Sequence, residues 1–296
     1  MTIKLLLKIY LGAVLAKLHP KKTALIRQEF TIPSFNSGLD NGITERLIRH
    51  HMGLKALRSV DGKEQEKLHR DFWKNQQSSA FYEHTDYRFM EVLPLLKTHI
   101  NTLEKLTNEY QIQTICEIGT GNGHWIAYVQ KQLLNVERFV GIDLSTSQIS
   151  VNRDKYPDVE FVAGDADEWI REHGVSNTLY MVNGGVFEYF SRTSLQALFA
   201  TIASPGSGNL LAIFNEPLDE HHDLENDMES HPNDTEYSTS HNHPHLLLHA
   251  GFTILSQHIG YEAGYRALTL FGATAKRVNE NHPHKISLAI PVKTGC

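Results

Sequence analysis

The rhythm of apolar and polar positions changes near residue 113. Before it the spacing is helical. Residues 3–18 read IKLLLKIYLGAVLAKL, an apolar run interrupted by Lys4, Lys8 and Lys17. Helical patterns follow over 43–57 and 61–76. A third, over 87–110, carries the series Val92, Leu95, Leu96, Ile100, Leu103 and Leu106. Between the first two runs, TIPSFNSGLDNG (31–42) reads as loop from its Pro, Gly, Asn and Ser content. From Gln113 onward, short apolar runs alternate with turns and helical stretches. Strands are predicted at 114–118, 139–143, 159–165, 178–183, 210–215, 252–258 and 266–274. Helices are predicted at 124–134, 146–154, 167–173 and 192–203. That alternation is the pattern of a parallel sheet wrapped by helices. The linker IGYEAGY before the last strand suits a hairpin and is too short for a crossover helix, so the final strand should run antiparallel. The expected fold class is α/β, a seven-stranded mixed sheet with a reversed last strand. An N-terminal helical region (1–110) precedes the sheet domain (111–296), which carries an inserted loop over 216–250.

Composition narrows the classes. Hydrophobic residues make up 41% and charged residues 21%, which fits a globular chain and excludes wholesale disorder. The two cysteines, Cys116 and Cys296, cannot build a disulfide framework, so a reducing compartment, the cytosol, is expected. Cys116 falls inside a predicted strand and reads as an inert core residue. Charge is uneven. Residues 1–110 hold 17 Lys+Arg against 12 Asp+Glu, and residues 111–296 hold 11 against 22. The acidic main body argues against a nucleic-acid substrate. The apolar N-terminal run is shorter than the ~20 residues a spanning helix needs. Two readings remain for residues 3–22: a helix docked on the protein's own body, which is favoured, and peripheral contact with a membrane through Lys17, Lys21 and Lys22.

The chemistry concentrates at ICEIGTGNGHW (115–125). A strand ends at Glu117 and Ile118, three alternating glycines follow, and a helix begins. Glycines allow a tight turn and close approach of a ligand to the backbone, and the helix N-terminus adds free N–H groups. Asp143 closes the second strand, where an acid can bond ribose hydroxyls. Asp165 ends the third. A nicotinamide-binding G-x-G-x-x-G would need glycine at position 124, which is His124. Asp143 and Asp165 also suit helix capping.

In these segments the chain resembles the class I S-adenosylmethionine-dependent methyltransferases. Glu117-Ile118-Gly119-Thr120-Gly121-Asn122-Gly123 is similar to their first motif, Gly141-Ile142-Asp143-Leu144-Ser145 to their second, and Ala163-Gly164-Asp165-Ala166 to their third. MVNGGVFEYF (181–190) resembles their fourth-strand segment, with Phe187-Glu188-Tyr189 in place of Leu-Glu-His. The resemblance covers about residues 113–275. It implies a Rossmann-like fold and S-adenosylmethionine as cofactor. By the same resemblance Glu117, Gly119, Thr120, Gly121 and Gly123 frame the methionine part, Asp143 with Leu144 takes the ribose, Asp165 with Ala166 the adenine, and Asn183 faces the sulfonium.

The resemblance implies methyl transfer to a small-molecule acceptor, with a hydroxyl as the leading acceptor atom. N- or C-methylation, aminopropyl transfer and a non-catalytic cofactor-binding module are the alternatives. A hydroxyl nucleophile benefits from a histidine base. The insertion is rich in them: seven of the 18 histidines fall within 221–249. His241 and His243, in a run resembling one found in some O-methyltransferases including sugar-modifying ones, are the expected catalytic residues. Surface exposure on a polar loop is the competing reading. Tyr82, Tyr87 and Arg88, upstream of the first strand, and Glu188 are expected to bind substrate, the first three as part of a helical cap. His221, His222 and Asp223 are potential metal ligands, but without confirming spacing they read as solvated surface, and no metal is expected. The sequence leaves oligomeric state open.

Overall fold

The computed structural model describes residues 3–28, 42–57, 60–74, 97–174, 176–204, 208–233, 238–262 and 265–274. The sheet is built on five parallel strands: β1 (Thr114–Ile118), β2 (Arg138–Asp143), β3 (Glu160–Ala163), β4 (Thr178–Asn183) and β5 (Leu210–Pro217). β8 (Thr253–Glu262) and β9 (Tyr265–Ala273) complete it, in the order β3-β2-β1-β4-β5-β9-β8. β9 runs antiparallel to both neighbours, as the short linker required. Both strands of this pair are longer at their shared end than the apolar runs suggested, because β8 takes up polar residues of the linker as far as Glu262.

Strand alternation divides the core into two layers. Ile115, Phe139, Leu179, Met181, Ala212 and Phe214 face one way. They are covered by α5 (Ile100–Glu109), α6 (His124–Gln132) and α7 (Thr146–Lys155). Cys116, Ile118, Val140, Ile142, Tyr180, Val182 and Ile213 face the other. Here α8 (Ala166–His173), α9 (Arg192–Ile202) and α10 (His243–His249) cover them. Cys116 is wholly buried and burial pushes its thiol far up, so it is chemically quiet. Each fully buried Leu, Ile or Phe in these layers stabilises the fold by about 1.5–3 kcal/mol. The helices start where the sequence supplies caps. Ser145 accepts from the Gln148 amide, Ser191 from Ser194, and Asn242 from His245.

The N-terminal helices are α1 (Ile3–Leu18), α2 (Pro20–Gln28), α3 (Ile43–Leu57) and α4 (Lys63–Lys74). They carry a small core of their own: Ile26, Ile48, Met52 and Leu54, with Ile9, Leu15, Ala16 and Leu68 against it. α1 lies so close to α3 that a Cβ on Gly12 would sit 2.2 Å from the Leu47 carbonyl. One face of α1 is therefore docked on the protein. Its other face leaves Leu7, Tyr10, Leu11, Val14 and Leu18 exposed. Among the described residues no helix is long and apolar enough to cross a membrane. The helix expected over 61–76 begins only at Lys63, because Asp61 and Gly62 have positive φ. Of the one expected over 87–110, residues 87–96 lie outside the described residues.

The insertion after β5 is not one long loop. It forms a hairpin of β6 (His231–Asn233) and β7 (Ser238–Ser240), then α10.

Candidate active site

A cleft of about 330 Å³ opens at the carboxyl ends of β1 to β5, where the strand order reverses about β1 and β4. The turn after β1 forms its floor. Gly119 (φ 68°) and Gly123 (φ 72°) hold left-handed backbone there. A Cβ at Gly119 would meet Val186 at 2.8 Å, and one at Gly123 would meet Phe161 at 2.8 Å. Conformation and space both demand glycine at these two positions. Glu117 fixes the turn from below: its Oε2 accepts from the Thr120 hydroxyl (2.7 Å) and the Ile126 amide (3.2 Å). Burial drives Glu117 up to about 8 even against those two donors, so at neutral pH it keeps its proton.

Asp143 stands at the end of β2 and is buried. Its Oδ2 accepts from the Gly121 amide and its Oδ1 from the Ser145 amide, both at 2.9 Å. These two amides fix the carboxylate at the mouth of the cleft. Asp165, at the end of β3, does two things at once. Its Oδ1 caps α8 through the Asp167 (2.9 Å) and Glu168 (3.3 Å) amides, and its Oδ2 pairs with the Arg70 guanidinium. Leu144, Gly164 and Ala166 continue this wall. Asn183, at the end of β4, accepts at Oδ1 from Asn215 Nδ2 (3.1 Å).

Glu117, Gly119, Thr120, Gly121, Asp143, Leu144, Asp165, Ala166 and Asn183 thus line one cleft. Gly123 stands just behind it, at the start of α6. The two histidines expected to be catalytic lie elsewhere. His241 and His243 are wholly buried and neither lines the cleft. His241 Nε2–H donates to the Phe190 carbonyl (3.1 Å), and Nδ1 faces Ser230 Oγ (2.8 Å). His241 thereby holds the backbone of a cleft residue from behind. His243 packs by Phe187, its ring centroid 6.0 Å away. His243 opens α10 and His241 follows β7, and both rings turn inward against Phe190 and Phe187 of the segment after β4. Glu188 is also displaced from its expected place. It is buried with its side chain turned back on Gly185, and its amide donates to Glu216 Oε1 (2.7 Å). Tyr82, Tyr87 and Arg88 lie outside the described residues. Of the three residues weighed as metal ligands, His221 and Asp223 are exposed but His222 is fully buried, not solvated.

Sequence reasoning missed the opposite wall. Glu66, His69, Arg70 and Trp73 reach the cleft from α4. Glu66 is the anchor. Its Oε2 accepts from the Ser191 amide (3.1 Å) and the Ser194 hydroxyl (2.7 Å), and its Oε1 from Arg70 Nε (2.9 Å). Burial opposes its charge, but the Ser194 and Ser191 donors and Arg70 hold the carboxyl below its ordinary range. The His69 and Tyr189 rings lie 4.3 Å apart. Phe190 and Tyr265 add further aromatic surface. The only available signal was the i, i+3, i+4, i+7 spacing of Glu66, His69, Arg70 and Trp73, which marks one helical face but not what it faces. Asn215 was also missed. It sits where the β5–β9 register shifts, with φ 53°, and its buried Oδ1 has no partner among the described residues.

Residues 115–204 match the family described as methyltransferase domain. No functionally curated protein matches the chain. Among solved structures, one of the most similar is magnesium protoporphyrin IX methyltransferase from Synechocystis PCC 6803 with bound S-adenosylhomocysteine. It has a TM-score of 0.50 at 11% identity, and the match covers 71% of this chain and 100% of that one. Another is 1,6-didemethyltoxoflavin-N1-methyltransferase from Burkholderia thailandensis, with a TM-score of 0.48 at 15% identity, covering 68% of this chain and 91% of that one. At 11% identity the likeness to the first is one of fold alone.

Burial pushes His241 down to about 4 from its ordinary 6.5. Its neutral form is thus favoured in the folded chain, and the unfolded chain takes the proton first. The stability this contributes is present above pH 6.5 and is lost as pH falls toward 4, by on the order of 3 kcal/mol. Thermal melts between pH 7 and pH 4 should show that acid limb, and His241→Gln should flatten it. Equal slopes in the two proteins would show that His241 does not set it.

Proposed function

We propose that this chain, which belongs to the class I S-adenosylmethionine-dependent methyltransferase superfamily, binds S-adenosylmethionine in the cleft and methylates a small hydroxylated acceptor. The observation that carries this reading is the convergence of three strand ends on one wall. The turn after β1, Asp143 and Asp165 meet there in chain order and at the correct spacing. The residues fit the cofactor. The glycine turn has no space for a Cβ at Gly119 or Gly123, Asp143 is a carboxylate at the strand end suited to a ribose diol, and Asn215 Oδ1 is a buried acceptor with no donor among the described residues. When bound, the cofactor supplies a methyl group activated by positive sulfur.

The protein's share is orientation and exclusion of water. Glu117 and Thr120 hold the floor rigid. Asp165 offers the adenine end a carboxylate whose place is set by Arg70 and by the α8 amides. Trp73, Tyr189, Phe190 and Tyr265 present flat faces suited to a sugar or other ring acceptor. His69 is the histidine that lines this cleft among the described residues, and we assign it the proton of the acceptor hydroxyl in place of His241 and His243. On this reading the N-terminal helices are a cap, joined to the sheet domain by Glu66 and Arg70.

The exposed face of α1 supports the membrane reading as an addition to self-docking. Leu7, Leu11, Val14 and Leu18 follow the i, i+4, i+7, i+11 spacing of one stripe. Lys8 and Lys17 are exposed on its two flanks, and Lys21 and Lys22 follow. An apolar stripe edged with lysine suits an anionic bilayer surface. The enzyme then works at the cytoplasmic face.

Three outcomes are expected. In calorimetry, Asp143→Ala should bind S-adenosylmethionine and S-adenosylhomocysteine about 10- to 100-fold more weakly, for loss of charge-assisted bonds to the ribose. Unchanged affinity sinks the ribose role. His69→Ala should cut turnover about 100-fold or more while leaving cofactor affinity nearly intact. Full turnover in that variant means an acceptor that needs no base, such as an amine. Vesicles containing phosphatidylserine should co-sediment the full chain at low salt, and should release it at high salt or with Leu11→Glu. Equal partition of wild type and variant would remove the membrane reading.

A further inference from the structure

The insertion between β5 and α10 holds a group of side chains that methyl transfer does not use. His222, Asp227 and His231 each direct one donor atom into a shared space, and these atoms lie within 4.8 Å of one another. The two imidazoles are nearly parallel, with centroids 4.3 Å apart and planes 13° apart. Asp227 Oδ2 is 2.7 Å from His231 Nε2. His222 is completely buried, and its Nε2 has no hydrogen-bond partner among the described residues. A buried imidazole nitrogen without a partner is costly unless something else satisfies it.

We propose that His222, Asp227 and His231 form a binding site for a divalent transition-metal ion of the zinc class. Two imidazoles and one carboxylate suit such an ion, whereas magnesium and calcium prefer all-oxygen ligands. Outer contacts already orient the donors. His222 Nδ1 is 2.8 Å from Ser240 Oγ, and that oxygen also accepts from the Asp219 amide at 3.0 Å. With the proton on Nδ1, Nε2 is a bare lone pair, the state a metal ligand needs. The hairpin pairs His231 directly with Ser240, so β6–β7 brings the third ligand alongside the first. The backbone is held as well. Arg266 donates to the His222 carbonyl (2.9 Å) and Asn242 to the Asp227 carbonyl (2.8 Å).

His231 and Asp227 are about one-third exposed, at 33% and 38%, which provides an entry path and leaves an outer position for water. On binding, the His231 proton moves from Nε2 to Nδ1 by exchange with solvent, the His231–Asp227 hydrogen bond is replaced by two metal bonds, and the ion staples the 222–231 segment to the hairpin. The ion's role is structural, and the site is independent of the methyl-transfer reading.

The test uses the full chain stripped with a chelator and then titrated with cobalt(II), with zinc(II) as competitor. One equivalent of cobalt should produce the visible absorption of a low-coordinate site, and zinc should abolish it. Zinc should raise the melting temperature by several degrees. His222→Gln and the partly exposed His231→Gln, which does not disturb the core, should each weaken the tight step about 10- to 100-fold and remove the thermal shift. The competing chelator is His245 with His249, a helical pair with ring centroids 4.5 Å apart. His249→Gln should leave the tight step unchanged. The proposal is overturned if no tight step occurs, if His231→Gln does not change it, or if His249→Gln abolishes it.

Discussion

Glu66 is a buried carboxylate that stays charged, and the second wall of the cleft depends on it. A carboxylate taken out of water needs replacement donors. Here an amide and a hydroxyl from the start of α9 supply two, and Arg70 supplies a third. Arg70 passes the connection on to Asp165 at the end of β3. A single chain of ion pairs and charge-assisted hydrogen bonds thus joins α4, the start of α9 and the third strand end. Removing one member would strand the others in a low-dielectric site, which is where buried pairs are most costly to break. His69 and Trp73 are carried into the cleft by that attachment.

The same logic of replacing lost water governs the insertion. It carries seven of the chain's histidines within 221–249, and the fold treats them in opposite ways. His221 and His249 stay at the surface, as a polar loop would suggest. His222, His241 and His243 are driven inside, where burial favours the neutral ring. His241 is satisfied there by Phe190 and Ser230. It serves the cleft by holding a backbone carbonyl, and it has no access to an acceptor. His243 pairs neither ring nitrogen among the described residues, and what sets His222 apart is that its unpartnered Nε2 lies beside Asp227 and His231.

The resemblance to methyltransferases and the geometry draw on different parts of the chain. The resemblance rests on strand ends, where a glycine turn and two acids recur at fixed spacing. The cleft needs those strand ends and also a face of α4 and the β5 bulge. Asn215 illustrates the second kind of requirement. Its positive φ arises because β5 must shift register against the reversed β9, and Asn tolerates that conformation better than most side chains.

Local spacing in the sequence determined the seven strands of the main sheet, their order along the chain, the reversal of the last one and the acids at the ends of β2 and β3. These features are encoded within a few residues, by alternation, turn glycines and linker length, so they could be read without a fold. Only the tertiary structure decided which histidines are buried, that Glu188 turns away from the cleft, and that Glu66, His69, Arg70 and Trp73 face it. Those outcomes depend on contacts between residues about a hundred positions apart, such as Arg70 with Asp165 and Glu66 with Ser191. Helical periodicity reveals that a face exists. What that face meets is set by which buried charges find donors, and that is settled when the elements pack.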